Sequence, residues 1–162
     1  MKWTSIFILG LIIWLMQLLL ADILSIDSVR PDFCVLLILY WSVIYGRTMG
    51  IISGFIFGLI VDLSGAGLFF GLSSLTYTIT GYFSGILGNV YSKINPMYFS
   101  ISWVFILLFQ FFIYCIVQYQ GLWELDFKLF FGKWIGTSIY TLSFAGIFQF
   151  IFPLNRLVYV KS

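Results

Sequence analysis

The sequence predicts an all-α, polytopic membrane protein with six transmembrane helices and both termini in the cytoplasm. Of its 162 residues, 62% are hydrophobic and only 9% are charged, whereas charged residues make up about a quarter of a soluble domain. Most of the chain also divides into apolar runs of about 15 to 24 residues, the lengths that cross a hydrocarbon core as helices. Residues 1–162 are therefore expected to form a single integral membrane domain surrounded by the lipid bilayer.

Six helices are predicted from the apolar runs and from the residues that interrupt them. In chain order they are Trp3–Ala21, Pro31–Tyr45, Thr48–Asp62, Phe69–Val90, Met97–Tyr119 and Trp134–Phe152. The second and third helices are short, since at 1.5 Å per residue each reaches only about 22 Å. Each must lie in a thinned region, be shielded by its neighbours or cross only part of the bilayer. Five spans with one re-entrant segment are the alternative to six.

The ends of these helices have local explanations. The first run exceeds the roughly 7–15 residues of a signal-peptide core and no Ala-x-Ala site follows it, so a retained span is predicted. The second helix is predicted to begin at Pro31, where the missing N–H costs nothing, and Asp32 then favours the positive helix end. Between the fifth and sixth helices, Leu122–Lys133 is predicted as an interfacial helix with Glu124 and Lys128 one turn apart.

The charged residues predict the orientation of the chain. All six acidic residues fall in the first, third and fifth connections: Asp22, Asp27, Asp32, Asp62, Glu124 and Asp126. Lys2, Arg47, Lys93, Arg156 and Lys161 lie at the termini and in the other two connections. The positive-inside tendency therefore assigns the termini and the second and fourth connections to the cytoplasm, with Arg30, Lys128 and Lys133 as exceptions.

Glycine recurs at every fourth position of the third helix, and an acidic residue follows one step later. This glycine ladder consists of Gly46, Gly50, Gly54 and Gly58, and the acidic residue is Asp62. Small residues at this spacing let another helix backbone approach closely. The same spacing recurs at Tyr77, Gly81 and Gly85 in the fourth helix and at Gly132 and Gly136 at the start of the sixth, and both sets are candidates for the matching surfaces. Packing within the chain and binding of a partner helix are both open as the purpose of the ladder.

Asp62 is expected to need a partner, because it lies at the negative end of its own helix dipole and in a low dielectric. Two candidates lie on the same predicted side of the membrane: Arg30, and the backbone N–H groups around Gly67 to Gly71 at the start of the fourth helix. At least one of the two is predicted to bind the carboxylate. The alternative is that Asp62 reaches water at the lipid headgroups.

Several functional classes are disfavoured. The net charge of +2 is scattered, whereas nucleic-acid binding needs clustered basic residues. The chain has no histidine, and Cys34 and Cys115 lie in apolar runs without the spacing of a metal site, so no metal or other cofactor is predicted. No nucleophile with an accompanying base is evident at membrane depth, so the protein is not expected to be an enzyme.

Four segments together resemble the family of the rod shape-determining protein MreD. They are Arg30-Pro-Asp-Phe-Cys-Val-Leu-Leu-Ile-Leu-Tyr-Trp41, Gly50, Gly54-Phe-Ile-Phe-Gly-Leu-Ile-Val-Asp62 and Gly71-Leu-Ser-Ser-Leu75. The chain length and the Phe152-Pro-Leu-Asn-Arg156 ending are similar too, so the resemblance covers nearly the whole chain.

The resemblance implies a non-catalytic scaffold of the bacterial cell-wall elongation machinery in the cytoplasmic (inner) membrane. Its partners would be the bitopic protein MreC, a peptidoglycan polymerase and transpeptidase, and, through the cytoplasmic turns or indirectly, the actin-like MreB filament. The residues expected to have structural or partner-binding roles are Arg30, Pro31, Asp32, Gly50, Gly54, Gly58, Asp62, Gly67 and Gly71. The alternative function is a small-molecule capture subunit of an energy-coupling transporter, whose six-helix layout is similar and which would need a polar pocket at membrane depth.

Overall fold

The computed structural model describes residues 3–25, 29–64 and 69–151, and its elements in these ranges are helices. They are α1 (Trp3–Ile23), α2 (Phe33–Tyr45), α3 (Arg47–Leu63), α4 (Leu72–Val90), a 3-10 turn (Tyr91–Lys93), α5 (Pro96–Gln118), α6 (Gln120–Leu125) and α7 (Phe127–Ile151). The all-α class is thus confirmed.

Most predicted helix boundaries lie close to the observed ones, but α7 begins at Phe127, seven residues before the predicted Trp134, and α2 begins later than expected. Its first residue is Phe33 and not Pro31, because Asp32 is itself the N-cap. The Asp32 side chain accepts a hydrogen bond from the backbone N–H of Val35 at 3.0 Å, which satisfies one of the free donors of the first turn.

The interfacial helix predicted for Leu122–Lys133 was wrong. The backbone of Asp126 is extended, so α6 ends at Leu125 and α7 begins at Phe127. The Asp126 side chain accepts hydrogen bonds from the backbone N–H groups of Lys128 and Leu129 at 3.0 and 3.2 Å and thereby caps α7. Glu124 and Lys128 consequently lie on different helices and not one turn apart on the same helix.

The six longer helices alternate in direction. Residues from the C-terminal parts of α1, α3 and α5 line one cavity together with residues that directly precede α2 and with residues from the N-terminal parts of α4 and α7. The ends of α1, α3 and α5 therefore lie beside the starts of α2, α4 and α7 at one end of the bundle, which we call the acidic end because Asp32, Asp62, Glu124 and Asp126 lie there.

The short helix α2 forms the centre of the bundle. Ten of its thirteen residues are buried, and the helix packs against α4, α3 and α1. The structure therefore favours shielding by neighbours, among the three explanations for a helix too short to span a bilayer.

The outer surface is apolar. Large hydrophobic side chains are exposed on the outside of α1, α3, α5 and α7, among them Leu19, Phe55, Phe105 and Ile139. Within the described ranges, Pro96–Gln118 is the helix with both the length and the apolar composition to cross a bilayer. The count of six spans and the cytoplasmic location of the termini accordingly remain predictions.

Candidate functional site

The glycine ladder forms the contact between α3 and α4. A Cβ atom on Gly54 would lie 2.5 Å from the carbonyl oxygen of Tyr77, and one on Gly58 would overlap the backbone of Ser74. A Cβ atom on Gly50 would likewise lie 2.5 Å from the carbonyl oxygen of Gly81. The prediction that Tyr77 and Gly81 belong to the matching surface is confirmed, and the surface belongs to the same chain.

The second predicted matching surface, in α7, was wrong. A Cβ atom on Gly132 would meet no atom within 4 Å, and one on Gly136 would make an ordinary contact with the Val29 side chain at 3.4 Å. These two glycines therefore do not bring another helix backbone close.

The first glycine of the ladder has a separate role. Gly46 lies in the turn between α2 and α3 with a φ of 89°, a conformation that favours glycine. At the three later glycines, the backbone of α4 occupies the space that a side chain would need. Packing of α4 against α3 within the chain therefore accounts for the close approach that these glycines allow.

α2 joins this contact through a side chain. The hydroxyl of Ser42 donates to the carbonyl oxygen of Gly81, which also faces Gly50. Ser42 is fully buried. The three consecutive helices α2, α3 and α4 therefore meet at one point, where a residue larger than glycine or serine has no space.

Asp62 binds the N-terminus of α4. Its carboxylate accepts hydrogen bonds from the backbone N–H groups of Gly71, Ser73 and Ser74 at 3.0, 3.1 and 3.1 Å, and only 7% of the residue is exposed. Of the two partners predicted from the sequence, the helix N-terminus is confirmed.

The carboxylate completes the hydrogen bonding of the first turn of α4. The N-cap residue, Gly71, has a φ of 94° and no side chain of its own to act as a cap. Asp62 supplies the missing acceptor for three of the four free N–H groups, and the fourth, on Leu72, donates to the carbonyl oxygen of Phe69 at 3.3 Å. A carboxylate here also lies at the positive end of the α4 dipole.

The ladder and its acid are therefore parts of one arrangement. Because Gly58 lets α3 touch the backbone of α4 at Ser74, the side chain one turn later reaches the donors at the start of α4. Gly71 is part of this site. Gly67, which was predicted to belong to it, lies outside the described residues.

A second site surrounds the turn Arg30-Pro-Asp32. Gln17 of α1 donates to the carbonyl oxygen of Pro31 at 3.3 Å and accepts from the backbone N–H of Phe33 at 2.7 Å. The hydroxyl of Tyr77 donates to the Asp32 carboxylate at 2.6 Å, and the backbone N–H of Asp32 donates to the hydroxyl of Thr141 at 3.2 Å. The turn thus connects α1, α2, α4 and α7.

Sequence reasoning missed three of these contacts. Gln17 is recognisable in the sequence only as an isolated amide in an apolar run, and Tyr77 only by its place in the glycine spacing. Nothing in the sequence distinguishes Thr141 as a contact residue, since threonine is common in membrane helices. Side chains that meet from helices distant in sequence have no shared spacing to reveal them.

A cavity of about 330 Å³ lies beside the Arg30-Pro-Asp32 turn at the acidic end. It is lined by Gln17, Arg30, Pro31, Asp32, Val61, Ser73, Tyr77, Phe111, Tyr114, Gln118, Tyr119 and Thr137. Most of these side chains carry a polar group, although the helices that supply them are largely apolar. The described residues contain no group of three His, Cys, Asp or Glu placed to hold a metal ion.

Comparison with known proteins assigns the sequence to a family. A family model described as rod shape-determining protein MreD matches residues 1–157. Searches of curated proteins and of solved structures found no match. The family match therefore stands on the sequence over essentially the whole chain.

Proposed function

Because the chain belongs to the MreD family of rod shape-determining proteins, we propose that it is a non-catalytic membrane scaffold of the bacterial cell-wall elongation machinery. The family is a membrane protein family with a role in rod shape, and it is not known as an enzyme family. The match over residues 1–157 is the observation that carries the proposal. In this proposal the scaffold holds an MreC-like bitopic protein, together with a peptidoglycan polymerase and transpeptidase.

We further propose that the protein crosses the inner membrane several times, with both termini and the second and fourth connections in the cytoplasm. Three observations support this: the long helices alternate in direction, exposed apolar side chains surround the bundle, and four acidic residues, Asp32, Asp62, Glu124 and Asp126, lie at one end. Soluble proteins rarely expose apolar surface on this scale. An MreB-like filament would then meet the opposite, cytoplasmic end, directly or through other proteins.

The partner's transmembrane helix is proposed to bind outside the glycine ladder, because α4 fills the ladder. The α3–α4 pair then acts as a rigid frame, and Asp62 holds its outer end in shape. The acidic end would face the juxtamembrane segment of the partner.

The test is co-purification of the tagged full-length protein from native membranes in mild detergent, with mass spectrometry of the bound proteins. We expect an MreC-like protein and wall-synthesis enzymes to be recovered, and recovery to fall in the Asp62→Ala variant. Lys93→Gln, which removes an exposed charge at the opposite end of the bundle, is the control and should recover them fully. Full recovery by a correctly folded Asp62→Ala protein would contradict the role of the frame.

The cavity at the acidic end favours one second candidate, the small-molecule capture subunit of an energy-coupling transporter. Such subunits need a polar pocket between helices, and the cavity is lined by residues from five helices and from the turn before α2. Recovery of cytoplasmic ATPases and a coupling subunit, in place of wall-synthesis proteins, would establish this alternative.

A further inference from the structure

Two carboxylates adjoin the cavity at the acidic end. Asp32 lines the cavity directly. Asp62 lies behind its wall, because the Asp62 carboxylate accepts from the backbone N–H of Ser73, a lining residue, at 3.1 Å. Among the described lining residues Arg30 is the one basic side chain, but it is exposed and already interacts within the protein, so we assign it no part in binding.

The Asp32 carboxylate is held by uncharged groups. The backbone N–H of Val35 and the hydroxyl of Tyr77 donate to it at 3.0 and 2.6 Å, and within the described ranges its interactions come from such neutral donors. Each carboxylate oxygen has two lone pairs, so acceptor capacity remains after these bonds. Because a carboxylate removed from water is costly without a counter-charge, a cation that enters the cavity would be stabilised at Asp32.

Aromatic rings make up much of the cavity wall. Four of the lining residues are aromatic: Tyr77, Phe111, Tyr114 and Tyr119. Aromatic faces attract ammonium groups, and the tyrosine hydroxyl oxygens are further acceptors for N–H donors. A wall of this kind suits an organic ammonium better than a metal ion, whose shell needs about six oxygen ligands.

We propose that this cavity binds an ammonium group, which donates to the Asp32 carboxylate and lies against the aromatic rings. The proposal goes beyond the scaffold function and does not depend on it. A neutral ligand would leave the Asp32 carboxylate without a counter-charge, and an anion would be repelled by Asp32 and Asp62.

Two sources can supply the ammonium group: a small soluble amine, and the headgroup of phosphatidylethanolamine. The cavity volume of about 330 Å³ lies at the lower end of the range for small-molecule sites, so it has room for either. The lipid also needs an apolar surface for its acyl chains, which the exposed hydrophobic side chains of the bundle offer.

The experiment measures binding to the full-length protein purified in non-ionic detergent. Ethanolamine, ethylene glycol and glycolate are titrated by saturation-transfer NMR, because they are similar in size and carry a positive, no and a negative charge. Dioleoyl phosphatidylethanolamine is compared with dioleoyl phosphatidylglycerol by native mass spectrometry. We expect ethanolamine to bind saturably with a Kd on the order of 1 mM, at least about tenfold more tightly than the other two probes.

Two variants test the assigned contacts. Asp32→Asn should weaken ethanolamine binding at least about tenfold, and because asparagine also caps helices, the start of α2 is retained. Tyr114→Leu, which removes one ring, should weaken it at least about threefold. The matched control is Glu124→Gln, which removes an exposed carboxylate outside the cavity lining and should change the affinity by less than about twofold.

The outcomes distinguish the two sources. Saturable binding of ethanolamine supports a soluble amine, whereas selective retention of phosphatidylethanolamine without ethanolamine binding supports the lipid headgroup. The proposal is overturned if ethanolamine binds no better than ethylene glycol and phosphatidylethanolamine no better than phosphatidylglycerol. It is also overturned if correctly folded Asp32→Asn binds the ammonium ligand as tightly as the natural protein, or if Glu124→Gln loses as much affinity as Asp32→Asn.

Discussion

Two of the aspartates that cap helices, Asp62 and Asp126, lie in different surroundings. Asp62 caps α4 from the end of another helix and is buried, whereas Asp126 caps α7 from the adjacent position and is exposed. Water replaces a lost acceptor at an exposed helix end but not at a buried one. The two residues therefore allow the same substitution to be compared at two levels of burial.

We predict that Asp62→Ala lowers the free energy of unfolding by about 3 kcal/mol, because three buried N–H groups lose their acceptor. Asp126→Ala should cost only about 1 kcal/mol, the usual cost of losing a cap. Unfolding in detergent micelles, followed by tryptophan fluorescence, measures both. Equal costs for the two variants would show that water reaches the Asp62 site.

Two glutamines offer a second comparison of single residues. Gln17 bonds Pro31 and Phe33 through both ends of its amide. Gln110 is 2% exposed, and neither atom of its amide has a hydrogen-bond partner among the described residues. A buried amide without partners costs free energy, while a bonded one contributes stability.

Substitution by methionine, which is similar in length, should therefore have opposite effects at these positions. Gln17→Met is expected to destabilise the protein by about 1–2 kcal/mol, and Gln110→Met to be neutral or to stabilise it by about 1 kcal/mol. Thermal unfolding midpoints in the same detergent compare the two. A large loss of stability in Gln110→Met would reveal a bound water or ligand at that amide.

At the scale of the elements, the α3–α4 pair is the most extensive helix contact of the described chain. It depends on glycine because the backbones touch, so any larger side chain must push the two helices apart. The pair also positions Asp62. If α3 and α4 separate, the close backbone contact and the capping of α4 by Asp62 are therefore lost together.

We predict that Gly54→Leu costs at least about 3 kcal/mol or prevents folding, since its side chain would overlap the backbone of α4. Gly132→Leu is the matched control: its position is exposed and open, and leucine forms helix better than glycine by roughly 1 kcal/mol. Size-exclusion profiles and unfolding midpoints of the two variants test this. Normal folding of Gly54→Leu would mean that α3 and α4 are not in close contact.

The helices themselves were largely predictable from the sequence, because long apolar runs and their breakers are local signals. The helix ends were less predictable. Asp32 was predicted inside the start of the second helix and Asp126 inside an interfacial helix, but both residues cap the helix that follows them. A side chain that caps a helix competes with continuation of the helix through that residue. The ladder spacing predicted a close helix contact and the correct region of α4. It did not distinguish a partner helix from one in the same chain, because both need the same glycines.

At the scale of the whole molecule, the alternation of helix direction makes the predicted orientation testable. Cys34 and Cys115 are fully buried and free, so they provide little background for thiol labelling. We predict that Glu124→Cys reacts with a membrane-impermeant maleimide added to spheroplasts, whereas Lys93→Cys reacts only after the membrane is opened. Both positions are exposed in the bundle. The reverse labelling pattern would show that the orientation is opposite to the predicted one. Equal labelling of the two variants in closed cells would contradict an odd number of membrane crossings between positions 93 and 124.

The central part of the bundle is continuous in the chain, and this has a consequence for the order of assembly. α2, α3 and α4 lie within residues 33–90, and their mutual contacts need no residue from α5 onward. Synthesis of the remaining residues takes several seconds, at about 5–20 residues per second. We therefore expect the three helices to pair while the ribosome is still producing the rest of the protein. α7 is made after these three helices and contacts the Asp32 turn through Thr141, so the polar cavity closes only after α7 has been synthesised.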